Sequence, residues 1–177
     1  MGSIILYHGT VAEFNMVNLD FCNEKKDFGK GFYTTTDINQ AVIWAIKKRN
    51  INLKKGINRF AYIYSFKVDV NGLSMLNGHK FQAVNIAWLD YILYNRSCDI
   101  RFNKLPYNLD WVYGRVADAK AQKLIDDFYI CGDFSDRAKK HLINSLEPNN
   151  LSDQYCFKSQ IAINFLNQYG NMQVRRL

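Results

Sequence analysis

The most regular pattern in the chain lies between residues 60 and 68, where every second position is large and apolar. A period of two is typical of a β-strand with one face in a core. The residues between these positions are also largely apolar at the start, which predicts a strand covered on both faces. The large side chains are those of Phe60, Tyr62, Tyr64, Phe66 and Val68.

Four shorter runs also have the β-branched and aromatic character of strands. They cover residues 4–7, 32–33, 111–116 and 154–158. The first run leads into His8, Gly9 and Thr10, where the glycine permits a turn. We therefore expect one short strand to carry a histidine at its end.

A helical period begins after the second of these runs. Asp37 precedes it in the position of a helix cap, and Gln40 follows three residues later, at the spacing of a capping box. Cations at residues 47–49 are expected where the helix frays. Its apolar stripe consists of Ile38, Ala41, Val42, Ala45 and Ile46.

Four further segments have helix signals. Asp118 and Ser135 are suited to cap two of them. The predicted helices cover residues 80–95, 119–129, 135–145 and 161–169.

Composition indicates one ordered domain over residues 1–177. Hydrophobic residues make up 48% of the chain, enough for a sizeable core, and aromatic residues are abundant while proline is scarce. No apolar run approaches the roughly 20 residues that span a bilayer, and no cationic signal-peptide head is present at the N-terminus. We expect a cytoplasmic protein without a membrane partner.

The formal net charge is +7, and the cations are distributed along the chain rather than in one block. A phosphate-bearing partner and a solvated surface both explain this pattern, and the sequence leaves both open. The basic clusters lie at residues 25–26, 47–49, 54–55, 139–140 and 175–176.

The four cysteines are far apart and form no CxxC pair, and the chain has only three histidines. Neither a disulfide framework nor a zinc site is indicated, so we expect no metal and a reducing compartment.

Candidate chemistry lies in two short motifs, Leu6-Tyr7-His8-Gly9-Thr10 and Phe28-Gly29-Lys30-Gly31-Phe32-Tyr33. Taken singly, each has a structural alternative. A histidine after a strand can be a core or turn residue, and Tyr33 and Trp44 can be core aromatics. The glycines around Lys30 lack the full spacing of a phosphate-binding loop.

Together, the two motifs resemble the NAD-binding signature of the poly-ADP-ribose polymerase and diphtheria-toxin branch of the ADP-ribosyltransferases. That branch has His-Gly-Ser/Thr at the end of one strand and Gly-Lys-Gly-aromatic-Tyr at the start of the next. Its second aromatic follows that tyrosine by eleven residues, and this position is Trp44. The chain is still more similar to bacterial ADP-ribosyltransferase-like domains of uncharacterised function, over most of its length, including Asp153-Gln154-Tyr155-Cys156-Phe157.

The resemblance implies an α+β fold, in which two small packed β-sheets surround an NAD cleft with flanking helices. It implies that His8 binds a ribose hydroxyl, that the Gly9 backbone holds the nicotinamide carboxamide, and that Tyr33 and Trp44 enclose the nicotinamide ring. The implied NAD-binding residues are His8, Gly9, Thr10, Gly31, Tyr33 and Trp44, and the implied catalytic residues are His8, Tyr33 and Gln154.

Gln154 stands where the family has a glutamate. ADP-ribosyl transfer passes through an oxocarbenium-like transition state, where a carboxylate holds a ribose hydroxyl and offsets positive charge. An amide keeps the hydrogen bond and lacks the charge, which argues against polymer elongation and leaves mono-ADP-ribosylation. Asp153 is adjacent, but its side chain should point to the opposite face of the strand.

The implied function is an NAD-dependent mono-ADP-ribosyltransferase, with NAD as co-substrate and a protein or nucleic acid as acceptor. Such stand-alone bacterial domains resemble toxins of toxin-antitoxin or phage-defence systems, which implies an antitoxin protein as a partner. The alternatives are a degenerate module that binds NAD or ADP-ribose, and an NAD glycohydrolase. A nucleic-acid-binding protein without NAD chemistry is a further alternative.

Overall fold

The computed structural model describes residues 2–102, 105, 108–148 and 151–174, which excludes the basic pair at 175–176. Within these residues the chain forms an α+β fold with two small β-sheets and six α-helices. The strands are β1 (Ser3–Thr10), β2 (Phe32–Thr34), β3 (Ala61–Asp69), β4 (Gly78–Lys80), β5 (Trp111–Val116), β6 (Ser152–Phe157) and β7 (Leu166–Val174). The helices are α1 (Ile38–Lys54), α2 (Val70–Ser74), α3 (Ile86–Ser97), α4 (Ala119–Cys131), α5 (Asp136–Ser145) and α6 (Gln160–Ile163).

The described residues contain no helix with both the length and the apolar content that a membrane crossing requires.

The first sheet has the order β1-β3-β7, and both pairings are antiparallel. Its central strand, β3, is the one predicted by the alternating pattern. Ile63, Tyr64, Phe66 and Val68 are all buried, so β3 has apolar side chains on both faces, as expected.

The second sheet has the order β2-β6-β5-β4, in which only the β4–β5 pair is parallel. Opposite faces of its first two strands enter different hydrophobic clusters. Phe32 and Phe157 pack with the first sheet, whereas Cys156 and the partly buried Tyr33 pack with α3 and its neighbours. The sheet is therefore covered on both sides at the strand that carries Tyr33.

Helix α1 begins where the sequence predicts, because the Asp37 side chain accepts the Asn39 N–H at 2.8 Å. The predicted capping box is wrong: the Gln40 side-chain oxygen accepts the Thr35 hydroxyl instead. The buried stripe is also narrower than predicted, since only Ala41 and Ala45 are fully buried. Small residues on this face let the helix approach β1 closely.

Two predicted helix boundaries are wrong, and in both cases strand pairing replaces helix. Helix α3 starts at Ile86 rather than at residue 80, because Gly78–Lys80 pairs with β5 as strand β4. The helix predicted over residues 161–169 ends after the single turn of α6, and β7 follows. Pairing with β3 satisfies the backbone of this segment, which is a tertiary effect invisible in a local period.

A buried carboxylate holds the loop that leads into β2. Asp27 is 6% exposed, and its Oδ1 accepts from the Arg96 Nε at 2.9 Å. Its Oδ2 accepts the Ala117 N–H at 2.7 Å. One side chain therefore fixes the loop to the end of α3 and to the segment after β5.

Replacing this carboxylate should strongly destabilise the fold. We expect Asp27→Ala to lower the free energy of unfolding by about 3–5 kcal/mol, because it removes the buried partner of the Arg96 guanidinium and leaves only the exposed Asp126 carboxylate, at 3.6 Å. The measurement is urea denaturation followed by circular dichroism. Glu24→Ala is the control, because Glu24 and Lys30 form an exposed pair at 3.9 Å worth about 1 kcal/mol or less. Equal losses in the two variants would contradict this assignment.

Candidate functional site

The two sheets meet where β1 and the end of β2 touch. Tyr7 and Thr35 exchange both backbone hydrogen bonds there, at 2.8 and 2.9 Å. In a continued antiparallel ladder, Gly9 would be the next hydrogen-bonded partner of Tyr33. Instead, the Tyr33 carbonyl lies 2.6 Å from Nδ1 of His8. The His8 ring therefore takes the position of the next ladder hydrogen bond and ends the pairing.

This contact fixes the chemical form of His8. A carbonyl oxygen can only accept, so Nδ1 carries the hydrogen and Nε2 of the neutral ring is an acceptor. The ring stacks on Phe32 at a centroid distance of 4.4 Å and meets the edge of Phe14 at 6.1 Å. Burial, and secondarily the charge of Lys48, lowers the His8 pKa to about 4, against the opposing effect of the Tyr33 carbonyl. His8 is therefore a neutral hydrogen-bond acceptor near pH 7.

The end of β1 has a backbone edge without a strand partner, and Gly9 is buried there against α1. Gly9 points its N–H and C=O the same way as Tyr7, away from β3, because alternate residues of a strand face the same edge. In the described part of the chain, its carbonyl accepts only the Lys48 ammonium, at 3.5 Å. A Cβ at Gly9 would overlap the Ala41 carbonyl, so α1 can pack here only against glycine. Thr10 uses its hydroxyl locally, to accept the Ala12 N–H at 3.1 Å.

The glycine-rich loop wraps around the Tyr33 hydroxyl. This hydroxyl donates to the Gly29 carbonyl at 2.8 Å and accepts the Phe28 N–H at 3.0 Å. Gly29 has a φ of 78°, which favours glycine, and a Cβ at Gly31 would overlap the Cys156 thiol. Burial raises the Tyr33 pKa well above its ordinary value, so the phenol stays neutral. The glycines thus shape the backbone around this side chain.

Lys158 closes the same loop from the other side, because its ammonium donates to the Phe28 carbonyl and, at 3.3 Å, to the Lys30 carbonyl. Lys30 itself is exposed and pairs only loosely with Glu24. Loop carbonyls directed at a lysine are acceptors, and they do not form a cradle of N–H donors for phosphate.

Gln154 lies on the face of β6 that carries Cys156, the cross-strand partner of Tyr33. Gly114 stands directly opposite on β5, so no β5 side chain crowds Gln154. No hydrogen-bond partner of the Gln154 amide is found among the described residues. Asp153 is occupied elsewhere, in an ion pair with Arg115 at 3.4 Å.

Trp44 lies on α1 beside the Gly9 contact and is 42% exposed. No ring contact joins it to Tyr33 in the part of the chain that the structure describes. Its neighbours are cations: the ammonium groups of Lys26, Lys47 and Lys48 lie 5.9, 5.1 and 5.8 Å from the indole centroid. The structure thus brings the His8 ring to the backbone carbonyl of Tyr33, whose own ring lies on the other face of β2, and gives Trp44 a strongly cationic setting.

Lys48 was missed by the sequence interpretation. Its ammonium donates to the Gly9 carbonyl, and its charge helps to lower the His8 pKa. Burial, and secondarily the charge of Lys26, lowers the pKa of Lys48 itself to about 8. Its sequence signal was present, because Trp44 and Lys48 are four residues apart and share one face of a helix.

Other chemistry finds less support at this site. Burial raises the Cys156 pKa to about 12, so its thiol is not a nucleophile near neutral pH. The described residues contain no cluster of three or more His, Cys, Asp or Glu side chains suited to a metal ion.

The protein thus has an α+β fold, and the junction of its two sheets has a neutral histidine and a strand edge without a partner strand. Over residues 4–168 the chain matches the family described as "Protein of unknown function (DUF3990)", and it belongs to this family. Searches of the curated proteins and of the solved structures found no significant match.

The lowered pKa of His8 predicts a loss of stability in acid. As the pH falls from 6.5 to about 4, His8 becomes protonated in the unfolded chain but stays neutral in the folded chain, so the free energy of unfolding decreases. We expect His8→Gln to reduce the slope of the free energy of unfolding against pH by up to about 1.4 kcal/mol per pH unit. Urea denaturation at several pH values measures it, with the exposed His141→Gln as control. A wild-type slope in His8→Gln would refute the prediction.

Proposed function

We propose that the protein is an NAD-dependent mono-ADP-ribosyltransferase with the ADP-ribosyltransferase fold. The observation that carries the proposal is the interrupted ladder between β1 and β2. Because His8 occupies the Tyr33 carbonyl, the N–H and C=O of Gly9 are left without a strand partner. A carboxamide offers one acceptor and one donor side by side, as the edge of a strand does. The nicotinamide carboxamide of NAD pairs with Gly9 in this way, displacing the weak Lys48 contact.

His8 then binds the adjoining ribose. Its Nε2 accepts a hydrogen bond from a ribose hydroxyl, a role that requires the neutral ring and the tautomer fixed by the Tyr33 carbonyl. The partly exposed Tyr33 ring stacks on the nicotinamide, held in place by its hydroxyl contacts with the glycine-rich loop.

The reaction breaks the bond between ribose C1′ and the nicotinamide nitrogen. The bonding electrons leave with nicotinamide, which becomes neutral, and a nucleophile of the acceptor bonds to C1′ and gives up its proton. The Gln154 amide holds a ribose hydroxyl during this step. Because it has no negative charge, it stabilises the oxocarbenium-like state less than a carboxylate does.

The nicotinamide wall predicted at Trp44 stays a prediction, and its surroundings count against it. Nicotinamide in NAD is cationic, so ammonium groups close to the indole repel a nicotinamide that stacks there. The ammonium groups of three lysines lie 5.1–5.9 Å from the indole centroid. The proposed site therefore depends on Tyr33 for stacking.

The lack of a negative charge on Gln154 favours a second candidate function, a module that binds NAD or ADP-ribose without turnover. Calorimetric binding of NAD with no nicotinamide release selects this candidate. Release of free ADP-ribose without a modified macromolecule identifies an NAD glycohydrolase. Action as a toxin in a bacterial cytoplasm, with an antitoxin partner, belongs to the proposal only through the resemblance.

Transfer is tested with NAD labelled in its adenylate phosphate, incubated with the protein and a bacterial lysate. We expect label on a macromolecule together with nicotinamide release, and protease or nuclease treatment then identifies the acceptor class. Absence of both label transfer and nicotinamide release would contradict the proposal that the protein is an enzyme.

A charge at residue 154 should increase turnover. We expect Gln154→Glu to raise the rate of nicotinamide release by about tenfold or more, because a carboxylate offsets the charge that develops on the ribose. Gln160→Glu is the matched control, since Gln160 is exposed at the start of α6 and undergoes the same chemical change. Equal rates in the two variants would contradict the role given to Gln154.

A further inference from the structure

The surface around Trp44 gathers three like charges on one exposed aromatic ring. The ammonium groups of Lys26, Lys47 and Lys48 all lie within 6 Å of the indole centroid, and Trp44 is 42% exposed. We call these four residues the Trp44 patch. A cation over an indole face is favourable one at a time, but three cations also repel one another.

In the part of the chain that the structure describes, no acidic side chain neutralises the Trp44 patch. Within the described residues, none of its lysines forms an ion pair with Asp or Glu. The sequence contains no Asp or Glu between residues 38 and 68. The charge of Lys26 contributes to lowering the Lys48 pKa, which is the electrostatic consequence of this crowding. An anion bound here relieves the repulsion.

The positive surface is longer than a single phosphate group needs. Lys47 also borders a shallow groove that runs along α1 to Lys54. These two lysines are seven positions apart on the helix, so their backbones lie about 10 Å apart along the axis. Cations spread over two helical turns suit a chain of phosphates better than one isolated diphosphate.

The exposed indole narrows the choice of polyanion. Bases of a single strand are free to stack on an aromatic side chain while lysines contact the flanking phosphates, whereas bases in a duplex are already stacked on each other. The exposed Ile43 and Ile51 beside the groove also fit a lipid surface. The cations crowd over the indole itself, however, which fits a base with phosphates on either side.

We propose that the Trp44 patch binds single-stranded nucleic acid, with one base stacked on Trp44 and the neighbouring phosphates held by Lys26, Lys47 and Lys48. This binding does not require NAD chemistry and goes beyond the proposed function. The patch adjoins the candidate site, because Lys48 also contacts Gly9. A bound strand therefore passes close to His8.

The test uses the full chain and a fluorescein-labelled oligodeoxythymidylate of about twelve nucleotides, with fluorescence anisotropy measured in the absence of NAD. We expect Trp44→Ala to weaken binding by about tenfold or more and Trp44→Phe to retain most of it, because a phenyl ring still stacks. Ile130→Ala, which removes another exposed apolar side chain on α4, should leave the affinity unchanged.

Salt dependence tests the lysines separately from the indole. Replacing Lys26, Lys47 and Lys48 together by Gln should reduce the slope of log affinity against log salt by about 2, since each phosphate contact in a single strand contributes about 0.7. Lys123→Gln, an exposed lysine on α4, should leave the slope unchanged. Circular dichroism checks that all variants are folded.

Four results would overturn the proposal. Equal affinity of Trp44→Ala and Ile130→Ala for the oligonucleotide excludes stacking, and equal binding of a duplex of the same length does so as well. Binding to phosphatidylserine vesicles without binding to the oligonucleotide assigns the patch to a membrane surface. Loss of NAD affinity in the lysine variant, with no oligonucleotide binding by the wild type, assigns it to the NAD diphosphate. Since the oligonucleotide-binding assay contains no NAD, its outcome is independent of transferase activity.

Discussion

The hydrogen bond from His8 Nδ1 to the Tyr33 carbonyl is the interaction on which the candidate site depends. One step earlier, Tyr7 and Thr35 pair as ordinary strand neighbours. Continued pairing would consume the backbone groups of Gly9 and join the two sheets into one larger sheet. By taking the Tyr33 carbonyl, the imidazole ends the ladder, fixes its own tautomer and leaves Nε2 as a hydrogen-bond acceptor. The interrupted pairing of the two sheets and the tautomer of His8 therefore have one cause.

The position of Tyr33 depends in turn on the loop that precedes it. Asp27 anchors the start of this loop to Arg96 and Ala117, and Lys158 binds two of its carbonyls. The Tyr33 hydroxyl closes the loop on itself through Gly29. These contacts hold the Tyr33 ring in one orientation, and under the proposed function this preorganises it to stack on a flat ring. The loop glycines act through this packing, because their neighbours leave no space for a Cβ at Gly31.

Local signals in the sequence predict local structure well and long-range pairing poorly. The caps Asp37, Asp118 and Ser135 each accept a backbone N–H at the predicted helix start. The missed strands β4 and β7 are defined by partners more than 30 residues away, and short apolar runs do not contain that information. The two motifs contain His8 and Tyr33, which the structure joins through one hydrogen bond, and their roles stay predictions. Lys47 and Lys48 share helix α1 with Trp44, whereas the approach of Lys26 to Trp44 depends on a loop and a helix meeting in space.

Under the proposed function, the electrostatics of the site separate substrate binding from catalysis. Cations near the cleft favour the phosphates of NAD equally in the ground state and the transition state, which improves binding without accelerating the reaction. Rate acceleration needs negative charge beside the ribose, where the chain has the Gln154 amide and where Asp153 is paired with Arg115. A polyanionic acceptor on the Trp44 patch brings negative charge towards His8 through its own phosphates. The same acceptor then neutralises the lysines and lowers their repulsion of the oxocarbenium-like state. Transfer to a polyanionic acceptor therefore suffers least from the lack of a carboxylate at residue 154.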